Sequence, residues 1–182
     1  MWSNDKEGVP QLRTSQSVYE GFYQVQHDLF ANGDGSSFCY ATVATRSDAA
    51  LVLARSQAGL WILTKEYRYP MQKWLLSLPG GYMDGGELPE ETAARELFEE
   101  TGYVANQIRA LGQAYPYPGI SRQKIHYFFA DGCSGGAMTA KEAGEYIQVE
   151  LWDPLRLSCH LRDHPSFPLD GNLCTALYFV DR

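Results

Sequence analysis

Hydrophobic and polar residues follow two different periods along this chain, and the change of period predicts where strands give way to a helix. Runs with partial alternation and many aromatic or β-branched residues predict strands at 18–30, 37–46, 49–55 and 60–67. Similar runs predict strands at 109–115, 124–130 and 147–152. A strong turn signal, Asn-Gly-Asp-Gly at 32–35, separates the first two strands. Residues 1–17 show little pattern, so we expect them to be partly disordered.

One helix is predicted between the two groups of strands. Pro89 suits a first-turn position, because its missing N–H would be unpaired there in any residue. Leu97 and the apolar residues near it supply a hydrophobic side, and Gly102 is a natural C-terminal stop. Two short helices are expected further on, one over about 154–162 and one after Asp170, which can serve as its N-cap.

Three glutamates of the central helix fall on one side of it. Glu96 lies three residues before Glu99 and four before Glu100, so all three carboxylates come within reach of a common point. Like charges at that spacing repel one another, and a divalent cation such as Mg²⁺ would reverse the sign of the energy. A solvated acidic face is the alternative. The adjacent glycines that precede the helix, Gly80 and Gly81, favour the metal site because they let the backbone approach a ligand closely.

Composition narrows the class of protein. The chain has 182 residues, of which 45% are hydrophobic and 20% charged, as in a globular protein of one domain with a small appended element. Its net charge of −7 argues against nucleic acid or an anionic membrane as the main partner. The four cysteines are scattered without paired spacing, which is typical of reduced thiols. With no apolar signal core or membrane-spanning stretch in the sequence, we expect a cytoplasmic protein.

The glycine loop and the helix together resemble the Nudix box, G-x5-E-x7-R-E-U-x-E-E-x-G-U. Every fixed position of the box is matched by Gly81, Glu87, Arg95, Glu96, Leu97, Glu99, Glu100 and Gly102. The last apolar position departs slightly, because it holds Tyr103. The resemblance implies a Nudix-type α/β/α sandwich with a mixed sheet and an N-terminal β-hairpin extension. We therefore expect a tail and hairpin at 1–45 and a Nudix hydrolase domain at 46–182.

Three further stretches resemble the ADP-ribose pyrophosphatases and related nucleotide-sugar hydrolases of this family. Glu66–Pro70 (EYRYP) is similar to their Q-Y-R-y-P stretch, with Glu66 in place of glutamine. Residues 74–81 (WLLSLPGG) resemble their approach to the box, and 117–121 (YPGIS) resemble a P-G-x-S loop beyond it. Gln123 stands where many of these enzymes have a glutamate, and an amide cannot act as a charged ligand or a general base.

The resemblance implies hydrolysis of the pyrophosphate bond of a nucleoside diphosphate sugar, with Mg²⁺ or Mn²⁺ as the cofactor. ADP-ribose, split to AMP and ribose 5-phosphate, is the first expectation. Alternatives are another nucleotide sugar or a dinucleotide, such as GDP-mannose or NADH, and a sensor that binds ADP-ribose without rapid turnover. Relatives of this type are commonly homodimers, so the Tyr- and Phe-rich N-terminal hairpin is a possible dimerisation element.

Site residues are assigned on the same basis. The expected metal ligands are Gly80 through its carbonyl, Glu96, Glu99 and Glu100. The expected catalytic residues are Glu99, Arg95, which would orient the carboxylates, and Glu145, which would help to activate water, with Glu142 as its alternative. The expected substrate-binding residues are Arg68, Pro118, Gly119 and Ser121. Simple structural roles remain open for Arg68, as a strand-end ion pair, for Arg95, as a helix salt bridge, and for Glu145, as an exposed loop acid.

Overall fold

A computed structural model describes residues 8–136 and 146–181 of the chain, and these residues form two compact units. One unit comprises the described residues up to Arg46 together with Tyr117–Gln123. The other comprises Ser47–Pro116 and the described residues from Lys124 onward.

The first unit contains a three-stranded antiparallel sheet. Its strands are β1 (Gln11–Glu20), β2 (Gln24–Ala31) and β3 (Ser37–Ala44), with β2 in the centre. The segment 117–123 joins β3, because the Val43 N–H donates to the Ile120 carbonyl at 2.7 Å. The predicted hairpin is thus extended by one strand, and the expectation of disorder was wrong for Gln11–Ser17. Every residue of β1 is exposed, so this strand lacks the alternating apolar pattern by which strands are recognised.

The second unit is built on an eight-stranded mixed sheet. Its strands are β4 (Ala49–Ser56), β5 (Trp61–Arg68), β6 (Lys73–Ser77), β7 (Gly80–Tyr82), β8 (Tyr103–Val104), β9 (Gln107–Ala114), β10 (Ile125–Gly135) and β11 (Ile147–Trp152). The order along the sheet is β11-β5-β4-β10-β8, and β4 and β10 run parallel. β4 and β5 pair only at Ala54–Arg55, while β7 pairs with the other end of β4 and β6 with the other end of β5. The glycine segment therefore lies where these two central strands diverge.

In the described part of the chain, three helices cover the sheet. They are α1 (Pro89–Thr101), α2 (Pro154–Asp163) and α3 (Gly171–Val180). Ala93 and Leu97 of α1 pack with Val52 and Phe128 in one buried cluster. A second cluster joins Leu157 of α2 and Leu173 of α3 to alternate residues of the same strands, such as Leu53 and Tyr127. The sheet thus has a buried core on each face, as the predicted three-layer sandwich requires.

The ends of the helices agree with the sequence signals. α1 ends at Gly102, whose φ of 71° is the left-handed conformation that glycine adopts readily. Asp170 caps α3 by accepting a hydrogen bond from the Asn172 N–H at 2.8 Å. At the start of α1, the Leu88 N–H donates to the Glu91 carboxylate at 2.9 Å. The N-terminus of α1 is therefore fixed by the side chain of an acidic residue in its own first turn.

Candidate functional site

Two glycines of β7 bring the backbone against two carboxylates of α1. The Gly80 N–H donates to Glu100 Oε2 at 2.9 Å. A Cβ on Gly81 would overlap the Glu96 carboxylate, so only glycine leaves room for that side chain as it stands. Gly80 has a φ of +152° and packs against the backbone of Ala50, which also disfavours a side chain. The adjacent glycines thus allow Glu96 and Glu100 to lie directly beside β7.

Arg95 connects Glu96 to two further carboxylates of the site. Its Nε donates to Glu87 Oε1 at 2.9 Å, and its Nη1 donates to Glu96 Oε1 at 2.8 Å and to Glu99 Oε2 at 2.9 Å. Its Nη2 donates to the Tyr82 carbonyl at 3.2 Å, so the guanidinium also ties α1 to β7. The hydrogen bond to Glu87 is the main reason why the pKa of Arg95 is raised above its ordinary value. Arg95 therefore holds three carboxylates on one side of the helix.

Glu87 braces the loop that leads into α1. Its Oε2 accepts hydrogen bonds from the Asp84 N–H at 3.1 Å and from Thr92 Oγ1 at 2.7 Å. The hydrogen bonds from Arg95, then from Thr92 and Asp84, lower the pKa of Glu87 to about 2. Glu87 is therefore ionised throughout the ordinary pH range and has its lone pairs occupied by the protein.

The carboxylates do not all point the same way. Glu96 and Glu100 reach β7, whereas the Glu99 side chain is 51% exposed and turned toward Arg95. Among the residues that the structure describes, no three His, Cys, Asp or Glu side chains are placed together as a metal site. A pair of carboxylates still fits a Mg²⁺ ion, because this ion is usually held by one or two carboxylates, with water and substrate phosphates completing its shell.

Arg68, predicted to bind substrate, lies in an ion-pair network. Its Nη1 is 2.5 Å from Glu66 Oε1, and its Nη2 is 3.6 Å from Asp170 Oδ2. The two carboxylates come from the same strand and from the N-cap of α3, so Arg68 connects β5 to α3. The Arg68 side chain remains 42% exposed, which leaves part of it accessible to a ligand.

The structure describes three of the other predicted site residues. Pro118, Gly119 and Ser121 belong to the first unit, where Tyr40 Oη donates to the Gly119 carbonyl at 2.5 Å. Ser121 forms a bridge with Val43, and its Oγ accepts a hydrogen bond from the Gln123 N–H at 3.1 Å. Glu145 and its alternative, Glu142, fall outside the described residues.

Two contributors to the site were not predicted from the sequence. Thr92 donates to Glu87, and the Tyr82 carbonyl accepts from Arg95. A threonine at a fully buried helix position, five residues after a loop glutamate, is a weak signal for the first contact. A backbone carbonyl carries no sequence signal at all.

Comparison with known families and proteins agrees with this geometry. The family described as "NUDIX domain" matches residues 44–168. The chain is 35% identical over 113 residues to an ADP-ribose pyrophosphatase of Bacillus subtilis, covering 60% of this chain and 61% of that protein. It is 28% identical over 155 residues to an ADP-ribose pyrophosphatase of Haemophilus influenzae, covering 75% of this chain and 70% of that protein. A solved structure titled "Crystal structure of ADP compounds hydrolase" superposes with a TM-score of 0.82 over 94% of this chain and 92% of that chain, at 23% identity.

The structure combines a mixed sheet with a carboxylate-bearing helix that packs against a glycine strand. The match to the family model shows that the chain belongs to the Nudix family. The predicted resemblance and the predicted fold are both confirmed. The matched part spans 61%, 46% and 51% of the first three curated relatives, so the chain covers about half to three fifths of their length. None of the helices in the described part of the chain is both long and apolar enough to cross a membrane.

Proposed function

We propose that this protein hydrolyses the pyrophosphate bond of a nucleoside diphosphate sugar with the help of Mg²⁺, and that ADP-ribose is split to AMP and ribose 5-phosphate. The observation that carries the proposal is the placement of the Glu96 and Glu100 carboxylates directly beside Gly80 and Gly81. Relatives named ADP-ribose pyrophosphatase and ADP-sugar pyrophosphatase support the substrate class.

The proposed metal ligands are Glu96 and Glu100, with Glu99 and the Gly80 carbonyl completing the protein's share. When bound, Mg²⁺ polarises phosphoryl oxygens and lowers the pKa of water. Phosphoryl transfer otherwise requires mainly positioning and neutralisation of charge. Arg95 supplies part of that positioning, because it holds Glu96 and Glu99 on one side of α1. Its Nη1 lies 2.8 Å from Glu96 Oε1 and 2.9 Å from Glu99 Oε2.

The proposed group that assists water is Glu145, which comes two residues before β11 in the sequence. General-base assistance is typically worth about 10²–10⁴-fold. Glu145→Gln should therefore lower kcat by a factor in that range with little change in KM, while Glu142→Gln should do little. The reverse pattern would move the role to Glu142, and small effects of both would remove the general base from the proposal.

Arg68, Pro118, Gly119 and Ser121 are proposed to contact the substrate. For Arg68 this requires its partly exposed side chain to bind a ligand while it stays beside Glu66 and Asp170. A contact that binds the substrate and the transition state equally affects KM and not kcat, so we expect Arg68→Ala to change KM more than kcat.

A turnover assay over a panel of substrates tests the whole proposal. The panel contains ADP-ribose, GDP-mannose, another ADP-sugar and NADH, each with and without Mg²⁺, and includes Mn²⁺ in place of Mg²⁺. A relative named GDP-mannose pyrophosphatase, 34% identical over 96 residues, makes GDP-mannose the second candidate. Tight binding of ADP-ribose without turnover would support the sensor function instead.

The chain is further proposed to consist of an N-terminal tail and hairpin at 1–45 and a Nudix hydrolase domain at 46–182. It is proposed to form a homodimer through the N-terminal part. The first unit exposes large apolar side chains on β1 and at its turn, including Val18, Tyr19 and Phe22. Exposed strand edges and apolar residues favour association with another chain. Sedimentation at micromolar concentration measures the state directly, and a monomer would refute the dimer.

A further inference from the structure

Two consecutive residues, Ser47 and Asp48, hold both backbone polar groups of Met83. Ser47 Oγ donates to the Met83 carbonyl at 2.7 Å, and the Met83 N–H donates to the Asp48 carbonyl at 3.0 Å. Met83 is the residue directly after β7. This contact therefore fixes one end of the short strand whose glycines lie beside Glu96 and Glu100.

The side chain of Asp48 extends from that point to β10. Its Oδ1 accepts a hydrogen bond from the Lys124 N–H at 2.9 Å, and its Oδ2 lies 3.7 Å from His126 Nε2. The Asp48 and His126 side chains are 37% and 22% exposed, so their interaction is only partly screened by water. The Lys124 N–H thus fixes the orientation of the Asp48 side chain, and the His126 imidazole lies beside the other carboxylate oxygen.

The short strand depends on such anchors. β7 has three residues, which pair only with Ala49, Ala50 and Leu51 of β4. Gly81 is in register with Ala50, and Ala50 is in register with His126. Residues in register across neighbouring strands point to the same face of a sheet, so His126 shares its face with the glycine that accommodates Glu96.

We propose that Asp48 and His126 are a positioning pair for the carboxylate site. His126 holds the Asp48 side chain, Asp48 holds Met83, and Met83 holds β7 at the position where its glycines receive Glu96 and Glu100. The inference rests on the proposed function only in that it takes Glu96 and Glu100 as the metal ligands. Neither residue of the pair is a catalytic residue, because each acts through β7.

Mn²⁺ binding, followed by electron paramagnetic resonance on the full chain without substrate, tests the pair apart from turnover. Asp48→Asn keeps the acceptor for the Lys124 N–H and removes the charge that faces His126, while His126→Gln removes the imidazole. Changes outside the direct ligands of a metal typically cost about 10–100-fold in affinity. Because this pair acts one step further away, each variant should weaken Mn²⁺ binding by about 3- to 10-fold, with an unchanged urea midpoint.

The double variant and a matched control make the test specific. Residues that act as one unit are not additive, so Asp48→Asn with His126→Gln should bind Mn²⁺ no more weakly than either single variant. Asp131→Asn is the control, since it removes an ion pair with Arg55 at the other end of β10 and should leave Mn²⁺ binding unchanged.

The possible results distinguish the positioning pair, the proposed metal site and the proposed function from one another. Mn²⁺ affinities within twofold of the wild type, additive losses in the double variant, or an equal loss in Asp131→Asn would overturn the pair. A wild type that binds no Mn²⁺ would overturn the proposed metal site and this inference together. Mn²⁺ binding with the expected pattern, but without hydrolysis of any nucleotide sugar, would overturn the proposed function and leave the pair standing.

Discussion

The buried side and the charged side of helix α1 meet opposite physical demands within one element of 13 residues. On the buried side, Ala93 and Leu97 are fully shielded from solvent and pack against the sheet. On the charged side, Glu96, Glu99 and Glu100 gather carboxylates that repel one another and are held by Arg95 and a backbone N–H. One side therefore contributes stability and the other is proposed to contribute chemistry, so substitutions on the two sides should separate activity from stability.

The largest expected effect is on the charged side. Glu100→Gln should lower kcat by about 10³-fold, because removing one electrostatic contributor to a transition state costs about 10²–10³-fold or more. The free energy of unfolding should stay the same or rise, because repulsion among the three carboxylates falls. Steady-state kinetics and urea unfolding measure the two quantities, and a near-normal kcat would remove Glu100 from the proposed site.

The matching change on the buried side should show the reverse pattern. Leu97→Ala should lower the free energy of unfolding by about 2–5 kcal/mol, since it removes a fully buried side chain and leaves a cavity. Activity per folded molecule should remain close to that of the wild type. Phe98→Ala is the control, because Phe98 is 45% exposed and its loss should cost much less stability. An equal loss for both variants would show that the contrast between the two sides is wrong.

A change on the facing strand tests whether the glycines serve the charged side. In Gly81→Ala the new Cβ would meet the Glu96 carboxylate, which is the flexible end of a side chain and can move aside. We expect kcat to fall by about 10- to 100-fold, since a displacement of about 1 Å can cost that much, with little loss of stability. Gly85→Ala adds a Cβ with no atom within 4 Å and should leave kcat unchanged.

The smallest effect concerns pH at the start of the helix. Because hydrogen bonds, chiefly from Arg95, lower the pKa of Glu87 from 4.5 to about 2, the ionised carboxylate stabilises the folded state fully above about pH 4.5. That stabilisation is lost as the pH falls from 4.5 toward 2. Glu87→Gln should cost about 1–3 kcal/mol at pH 7, and unfolding measured down to pH 3 should show the gap to the wild type closing. A difference in unfolding free energy that stays constant with pH would contradict the lowered pKa of Glu87.

Local signals in the sequence predicted α1 well because the helix is specified by its own residues. Pro89 and Gly102 bound it as expected, and the apolar residues between them form its buried side. The strand β11 was predicted with its observed bounds, since it is short and alternates clearly. Helix caps and apolar alternation are set by residues that are close in the sequence, so they can be recognised without the tertiary structure.

Contacts between distant residues could not be predicted in the same way. Arg68 pairs with Asp170 across about a hundred positions of sequence, and nothing near either residue indicates the other. β7 was expected as a glycine loop, because two glycines weaken any strand signal, and it becomes a strand only through pairing with β4. The placement of Glu96 and Glu100 beside this strand therefore follows from tertiary structure, although the residues themselves were named from the motif.

The parallel pairing of β4 with β10 has a consequence for synthesis of the protein on the ribosome. Ala49 pairs with Ile125, so the whole glycine loop and helix α1 lie within the loop that this pairing closes. Non-local pairing of this kind forms slowly, because the entropy of closing the loop is lost before the contacts are gained. Ala93 and Leu97 pack partly on Phe128 and Ala130 of β10. When Gly102 has just left the ribosomal exit tunnel, the nascent chain already contains the complete motif. Helix α1 still lacks part of the sheet surface on which it packs, because β10 has not yet left the tunnel.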